Sequence, residues 1–173
     1  MTIKKNLNMK KIGLIIAFLL FCNSLSAQVA ISKTPDHPGA ILDFPQNTTN
    51  GIVLPATTEL PASLPDGSLL LDRSDLKIKM KQNANWSEMS SAGDVSKIAQ
   101  NTSNEVGNGV IIGNSTSAAT GVLILEATDK ALALPQIASP QTNVKSPYPG
   151  MICYDTTTKT VAVFNGKVWS FLK

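Results

Sequence analysis

The sequence predicts a mainly β protein: two tandem repeated units of short antiparallel hairpins and meanders, elongated, joined by a polar linker that is itself a candidate helix. Three observations carry this expectation. The closing stretch "YDTTTKTVAVFNGKVW" (154–169) reads as a self-contained hairpin, and a degenerate copy, "LDRSDLKIKMKQNANW" (71–86), stands earlier in the chain. Strand-length segments such as "KIKMK" alternate at period two, with Leu76, Ile78 and Met80 on one face and Lys77, Lys79 and Lys81 on the other. Asn, Gly, Thr and Asp cluster between these segments, where tight turns require them.

Residues 1–27 read as a secretory signal peptide and stand outside the fold. Lys4, Lys5, Lys10 and Lys11 precede the apolar run "IGLIIAFLLF" (12–21), and "NSLSAQ" offers small residues for cleavage after Ala27. Met9 is an alternative start, because the signal is complete from there. Lipidation at Cys22 is the alternative processing, although Phe21 is a poor fit to the small residue it requires. Loss of the four lysines reduces the 15 Lys+Arg to 11, against 12 acidic residues, a formal charge of −1. That balance carries no nucleic-acid footprint. Cys153 is then the sole cysteine, so no intrachain disulfide can form and the core or neighbouring chains must hold the fold.

The mature chain divides by self-comparison into unit 1 (28–90), a linker (91–109) and unit 2 (110–173). Gly67, Asp72, Trp86 and Ser87 recur as Gly150, Asp155, Trp169 and Ser170 at an offset of 83. Pro55 maps to Pro135 at an offset of 80, and "VAIS" to "VIIG" at 81, so the drift falls in turns. In unit 1, strands at 41–44 and 52–54 flank the "PQNTTNG" turn; in unit 2, strands at 122–127 and 131–134 flank "TDK". Each unit closes on a three-stranded meander, at 68–72, 76–81 and 85–89 and at 151–155, 160–164 and 167–172. In the linker Asp94 is a candidate cap for a short helix through about Asn104, with Val95 and Ile98 as its apolar face. A helix that short is marginal in water unless packed.

"VAISKTPDHPGAILDFPQNTTNGIVLP" resembles the opening of secreted β repeat proteins and phage tail fibres of the Bacteroidota, with its V-x-I-G-x-T-x-P, A-x-L-D and G-x-x-x-P pattern. "PGMICYDTTTKTVAVFNGKVW" is similar to the ending in the same family, G-x-x-x-Y-(N/D)-x-(T/S) followed by (Y/F)-(N/D)-G-x-x-W. Tyr154, Asp155, Thr157, Phe164, Asn165, Gly166 and Trp169 fit that ending. Unit 1 departs from it, with Leu71 for the aromatic and Gln82-Asn83 for the Asn-Gly turn. The resemblance implies an exported, elongated, often oligomeric β-rich surface protein, and no reaction.

Catalysis needs convergent groups, and few are on offer. His37, the single histidine, stands between prolines in "TPDHPG" with no Cys or second His at ligand spacing, and reads as a solvated loop residue. Cys153 aligns with Leu70 and reads as a buried apolar position. Asp72 and Asp155 sit at hairpin corners, where turn chemistry explains them. The expectation is a non-enzyme with no cofactor and no metal.

Four sets of residues are candidates for contact. The outward face of the last meander, Thr160, Ala162 and Phe164 with Phe171, reads as an apolar partner or oligomer interface. Trp86 and Trp169 end equivalent meanders and are candidate glycan-stacking platforms, or else caps on thin cores. Lys77, Lys79 and Lys81 form a candidate contact for an anionic surface, or else a solvated strand face. Thr156, in "DTT", is a candidate O-glycosylation site. Together these describe an exported, non-enzymatic structural or interaction protein at the outer membrane or cell surface, with the periplasm as the other compartment. Its partner is a protein of that membrane or a second copy of itself, up to a trimer. A carbohydrate-binding adhesin or a self-assembling fibre-like protein is the alternative.

Overall fold

A computed structural model describes residues 28–34, 37–99 and 109–173. The proposed signal peptide with Cys22, and the 100–104 part of the candidate helix, lie outside the described residues. The described chain is mainly β, as the alternation requires. Its strands run β1 (Val29–Ala30), β2 (Ala40–Asp43), β3 (Ile52–Val53), β4 (Ala56–Thr57), β5 (Leu69–Asp72), β6 (Lys77–Gln82) and β7 (Asn85–Glu88). They continue as β8 (Val110–Ile112), β9 (Leu123–Leu125), β10 (Ala131–Leu132), β11 (Gln136–Ile137), β12 (Met151–Asp155), β13 (Thr160–Phe164) and β14 (Trp169–Leu172). One helical turn, α1 (Pro140–Asn143), precedes β12.

The two meanders form as the turn residues dictate. β5, β6 and β7 pair antiparallel in sequence, and so do β12, β13 and β14. Each meander then gains a parallel strand that the alternation did not announce. β4 joins β5 through Ala56↔Leu71 and Thr57↔Asp72, and β11 joins β12 through Gln136↔Tyr154 and Ile137↔Asp155. Pro55 and Pro135 stand just before these short strands, where a missing N–H does no harm. Their carbonyls accept from the Leu71 and Tyr154 amides at 2.9 Å each.

The strands around the "PQNTTNG" turn flank it but do not pair with each other. β2 is instead the centre of a three-stranded parallel sheet, between β1 and β10, and β3 pairs antiparallel with β12 through Ile52↔Ile152 and Val53↔Met151. β12 therefore divides one edge between β3 and β11 and gives the other to β13. β8 and β9 form a separate two-stranded parallel sheet. Strand partners here are chosen by which apolar faces can be buried together, a property of distant segments rather than of the turn between neighbours.

Two core clusters follow. Ile137, Val144, Met151, Cys153, Ala162 and Phe164 make the first, flanked by Trp169. Leu71 and Ile78 join Ile152 and Val163 in the second, so the two meanders bury their faces against each other. β13 is buried on both sides: Ala162 and Phe164 enter the first core, and Val163, with Val161 beside it, enters the second.

The described part of the candidate helix, from Asp94 to Ala99, is a hydrogen-bonded turn rather than the start of a helix. The Ser96 amide donates to Asp94 Oδ1 at 2.8 Å and the Ile98 amide to the Val95 carbonyl at 3.0 Å. Val95 and Ile98 are the apolar face expected of them and pack on the second core. Just before them, Ser91 to Asp94 lie across the β13–β14 turn. The buried Asn165 donates through Nδ2 to the Ser91 carbonyl at 3.0 Å, and the Asp94 amide donates to the Asn165 carbonyl at 2.9 Å.

Candidate interaction surfaces

At each hairpin corner a buried aspartate organises the turn. Asp72 Oδ1 accepts from the Ser74 amide (2.8 Å) and hydroxyl (2.6 Å), and Oδ2 accepts from Lys79 Nζ at 2.7 Å. Asp155 Oδ1 accepts from the Thr157 and Ser139 amides at 2.9 Å each, and Oδ2 from Thr158 Oγ1 at 2.7 Å. Where Lys79 serves Asp72, the corresponding residue by offset is Ala162, so Asp155 is held by neutral donors. Burial opposes ionisation of Asp155, but the bonds from Thr158, Thr157 and Ser139 outweigh it and hold the carboxyl below its ordinary range. Burial likewise opposes the Asp72 charge, and the bonds from Lys79 and Ser74 more than reverse it. These carboxylates are fully occupied in shaping turns.

The lysine face is not a free cationic stripe. Burial disfavours the Lys79 ammonium, yet Asp72 and Asp75, with Oδ2 atoms at 2.7 and 2.6 Å, raise its pKa. Lys77 Nζ meets Glu88 at 2.8 Å. Lys81 is buried along its stem and places its ammonium 5.4 Å from the Trp86 ring centre. The three charges expected to face an anionic surface are each engaged within the chain, because acidic and aromatic side chains on β5, β7 and the intervening turn lie within their reach.

The tryptophans share a register. Trp86 stands opposite Lys81 and Trp169 opposite Phe164, as cross-strand pairs at corresponding positions. Trp169 lies 5.3 Å from Phe164, ring centre to ring centre, tilted 44°. Both tryptophans are half-buried and each has a face engaged, by a cation in one meander and by an aromatic in the other.

The expected outward face of β13 is reversed by the structure. Thr160 and Ala162 are buried, and Phe164 is 8% exposed within the first core cluster. The reason is that β13 carries apolar residues on both faces and each face finds a core: one shared with Ile137 and with Val144 just after α1, the other with Leu71 and Ile78 of the opposing meander. Of the four, only Phe171 is exposed, at 38% on the edge strand β14.

Cys153 is buried, and burial together with the nearby Asp155 charge pushes its thiol up to about 12, removing it as a nucleophile near neutral pH. His37 is not merely solvated: its Nδ1 lies 3.0 Å from both oxygens of the buried Asp43, which also meets Lys33 Nζ at 2.9 Å. Thr156 is half-buried beside Asp155, and its amide donates to the Ile137 carbonyl. Among the described residues no group of three or more His, Cys, Asp or Glu is placed to hold a metal ion.

What the sequence reasoning passed over is the pairing of β8 with β9 and the apolar surface that the pair leaves exposed. Its signal was present in "VII" and "LIL", six apolar choices in two short strands without alternation. Such runs mark strands covered on both faces. Here Val110, Val122 and Leu123 are exposed.

Residues 111–173, from β8 to the C-terminal lysine, match the family described as phage tail like trimerisation region. No curated protein and no solved structure matches the chain. Over that segment the chain is similar to a structural, tail-fibre-like family, and the similarity supports homo-oligomer formation, with three copies the fitting number.

Proposed function

We propose that this protein is an exported, non-enzymatic structural subunit that self-associates as a trimer, fibre-like, at the outer membrane or cell surface. The observation that carries the reading is the match of residues 111–173 to a trimerisation region. The signal-like first 27 residues support export, and the turn-forming duties of Asp72 and Asp155 favour structure over chemistry.

The two units are, in this reading, copies of one design, and their backbones support it. Strand order β4-β5-β6-β7 and β11-β12-β13-β14 is the same, with the same directions. Positive φ falls at corresponding positions: 58° at Ser32 and 98° at Gly113, 89° at Gly67 and 87° at Gly150, 64° at Leu76 and 58° at Lys159. The Gly67 and Gly150 amides each donate to corresponding carbonyls, of Lys81 and Phe164, at 2.8 Å. A small unit with little core gains stability by packing on a second one.

The test is tagged purification from detergent-solubilised outer membrane of the native host, with mass measurement of the intact particle. Three copies of this chain alone are expected. A fixed-ratio complex with a large membrane protein, holding a single copy of this chain, would replace the self-assembling reading with that of an accessory subunit.

A further inference from the structure

The β8–β9 sheet is apolar on both faces. By its register Val110, Ile112, Leu123 and Leu125 share one face, and Ile111 and Ile124 the other. None of these residues forms or flanks either core cluster. The corresponding pair in unit 1 is β1–β2, and there β2 is buried along its length, with Ile41 at 2% and Leu42 at 4% exposure. In unit 2 the counterparts Val122 and Leu123 stand at 63% and 44%, and Val110 at 57%. The difference has a visible source. β2 carries β1 on one edge and β10 on the other, whereas β9 pairs only with β8 among the described residues. A two-stranded sheet is marginal alone, and parallel strands are found with both faces covered.

We propose that β8–β9 is the contact through which copies of this chain associate, with Val110 and Leu123, which share one face of the sheet, packing on the same residues of neighbouring copies. This rests on the self-association reading and names its surface. A second copy is the fitting occupant for two reasons. The segment that matches a trimerisation region begins at Ile111, inside β8. Residues 109–125 also carry no charged side chain, so identical surfaces meet without repulsion and complement each other as apolar on apolar. The last meander, with Phe171 on β14, is the competing surface.

The experiment measures particle mass by light scattering for the secreted protein, for Leu123→Asp and for Phe171→Ser, with circular dichroism to verify folding. The expected result is three chain masses for the unchanged protein and for Phe171→Ser, and one for Leu123→Asp with its β spectrum retained. A trimeric Leu123→Asp, or a trimer broken by Phe171→Ser alone, overturns this surface and leaves self-association standing. A monomeric unchanged protein overturns self-association itself. If Leu123→Asp does not fold, Val110→Cys decides: with Cys153 buried, mild oxidation should link copies pairwise on a non-reducing gel, and absence of the linked species overturns the proposal.

Discussion

Asp155 offers the sharpest test of how the last meander is held together. Its side chain is fully buried and accepts three hydrogen bonds, from the amides of Ser139 and Thr157 and from Thr158 Oγ1. Replacement by Ala orphans two backbone donors, each costing about 1–3 kcal/mol when buried without a partner. Thr158 is less affected, because its hydroxyl already lies 2.7 Å from Thr160 Oγ1. Asp155→Ala should therefore destabilise by about 2–5 kcal/mol. Asp155→Asn keeps an oxygen for both amides and turns its NH2 toward the Thr158 oxygen, losing only the charge-assisted share, about 1–2 kcal/mol. In urea, with a slope of about 1–3 kcal/mol per molar, the midpoints should fall in the order native, Asn, Ala. The folded carboxyl titrates below its ordinary 3.8. Its stabilisation is thus fully present above that value and is lost as pH falls through the lower, folded pKa. Asp155→Asn should flatten that acid limb. An Ala variant within about 0.5 kcal/mol of the native protein, a difference typical of featureless surface positions, would refute the reasoning.

The packing of Ser91–Asp94 across the β13–β14 turn should be as sensitive as either core. Gly166 has φ +94°, and a Cβ there would run into the Asp94 carbonyl. Gly166→Ala should lower stability by at least about 2 kcal/mol and open residues 91–99 to early proteolysis, both absent if this packing is loose. The two tryptophans should separate. Trp169→Ala removes a ring packed on Phe164 and should cost about 3 kcal/mol, against about 1 kcal/mol for Trp86→Ala, which mainly loses a contact with Lys81. Equal losses on thermal unfolding would contradict that difference.

Much of the secondary structure was legible in single residues. The meanders at 69–88 and 151–172 were marked by alternation and by turn residues, and the observed strands lie within a residue or two of the expected ones. Cys153 was correctly placed inside, through its alignment with Leu70. The contact residues were less legible. Alternation says that Thr160, Ala162 and Phe164 share a face, but not whether that face looks outward. The face is buried because Ile137 and Val144, outside the meander, cover it. Lys79 and Lys81 read as solvated because sequence pairs them with nothing; Asp72, Asp75 and Trp86 reach them only once β5, β6 and β7 are side by side.

Local geometry was settled within short stretches of chain: where the meander strands begin and where the chain turns between them. These depend on φ/ψ preference and side-chain period, which are properties of a few adjacent residues. Strand partners were settled only in three dimensions. That β3 joins β12 and β10 joins β2, that β13 is covered on both faces, and that β8–β9 leaves Val110 and Leu123 exposed depend on which distant apolar surfaces meet. Burial is a sum over the whole chain, and no local pattern encodes it.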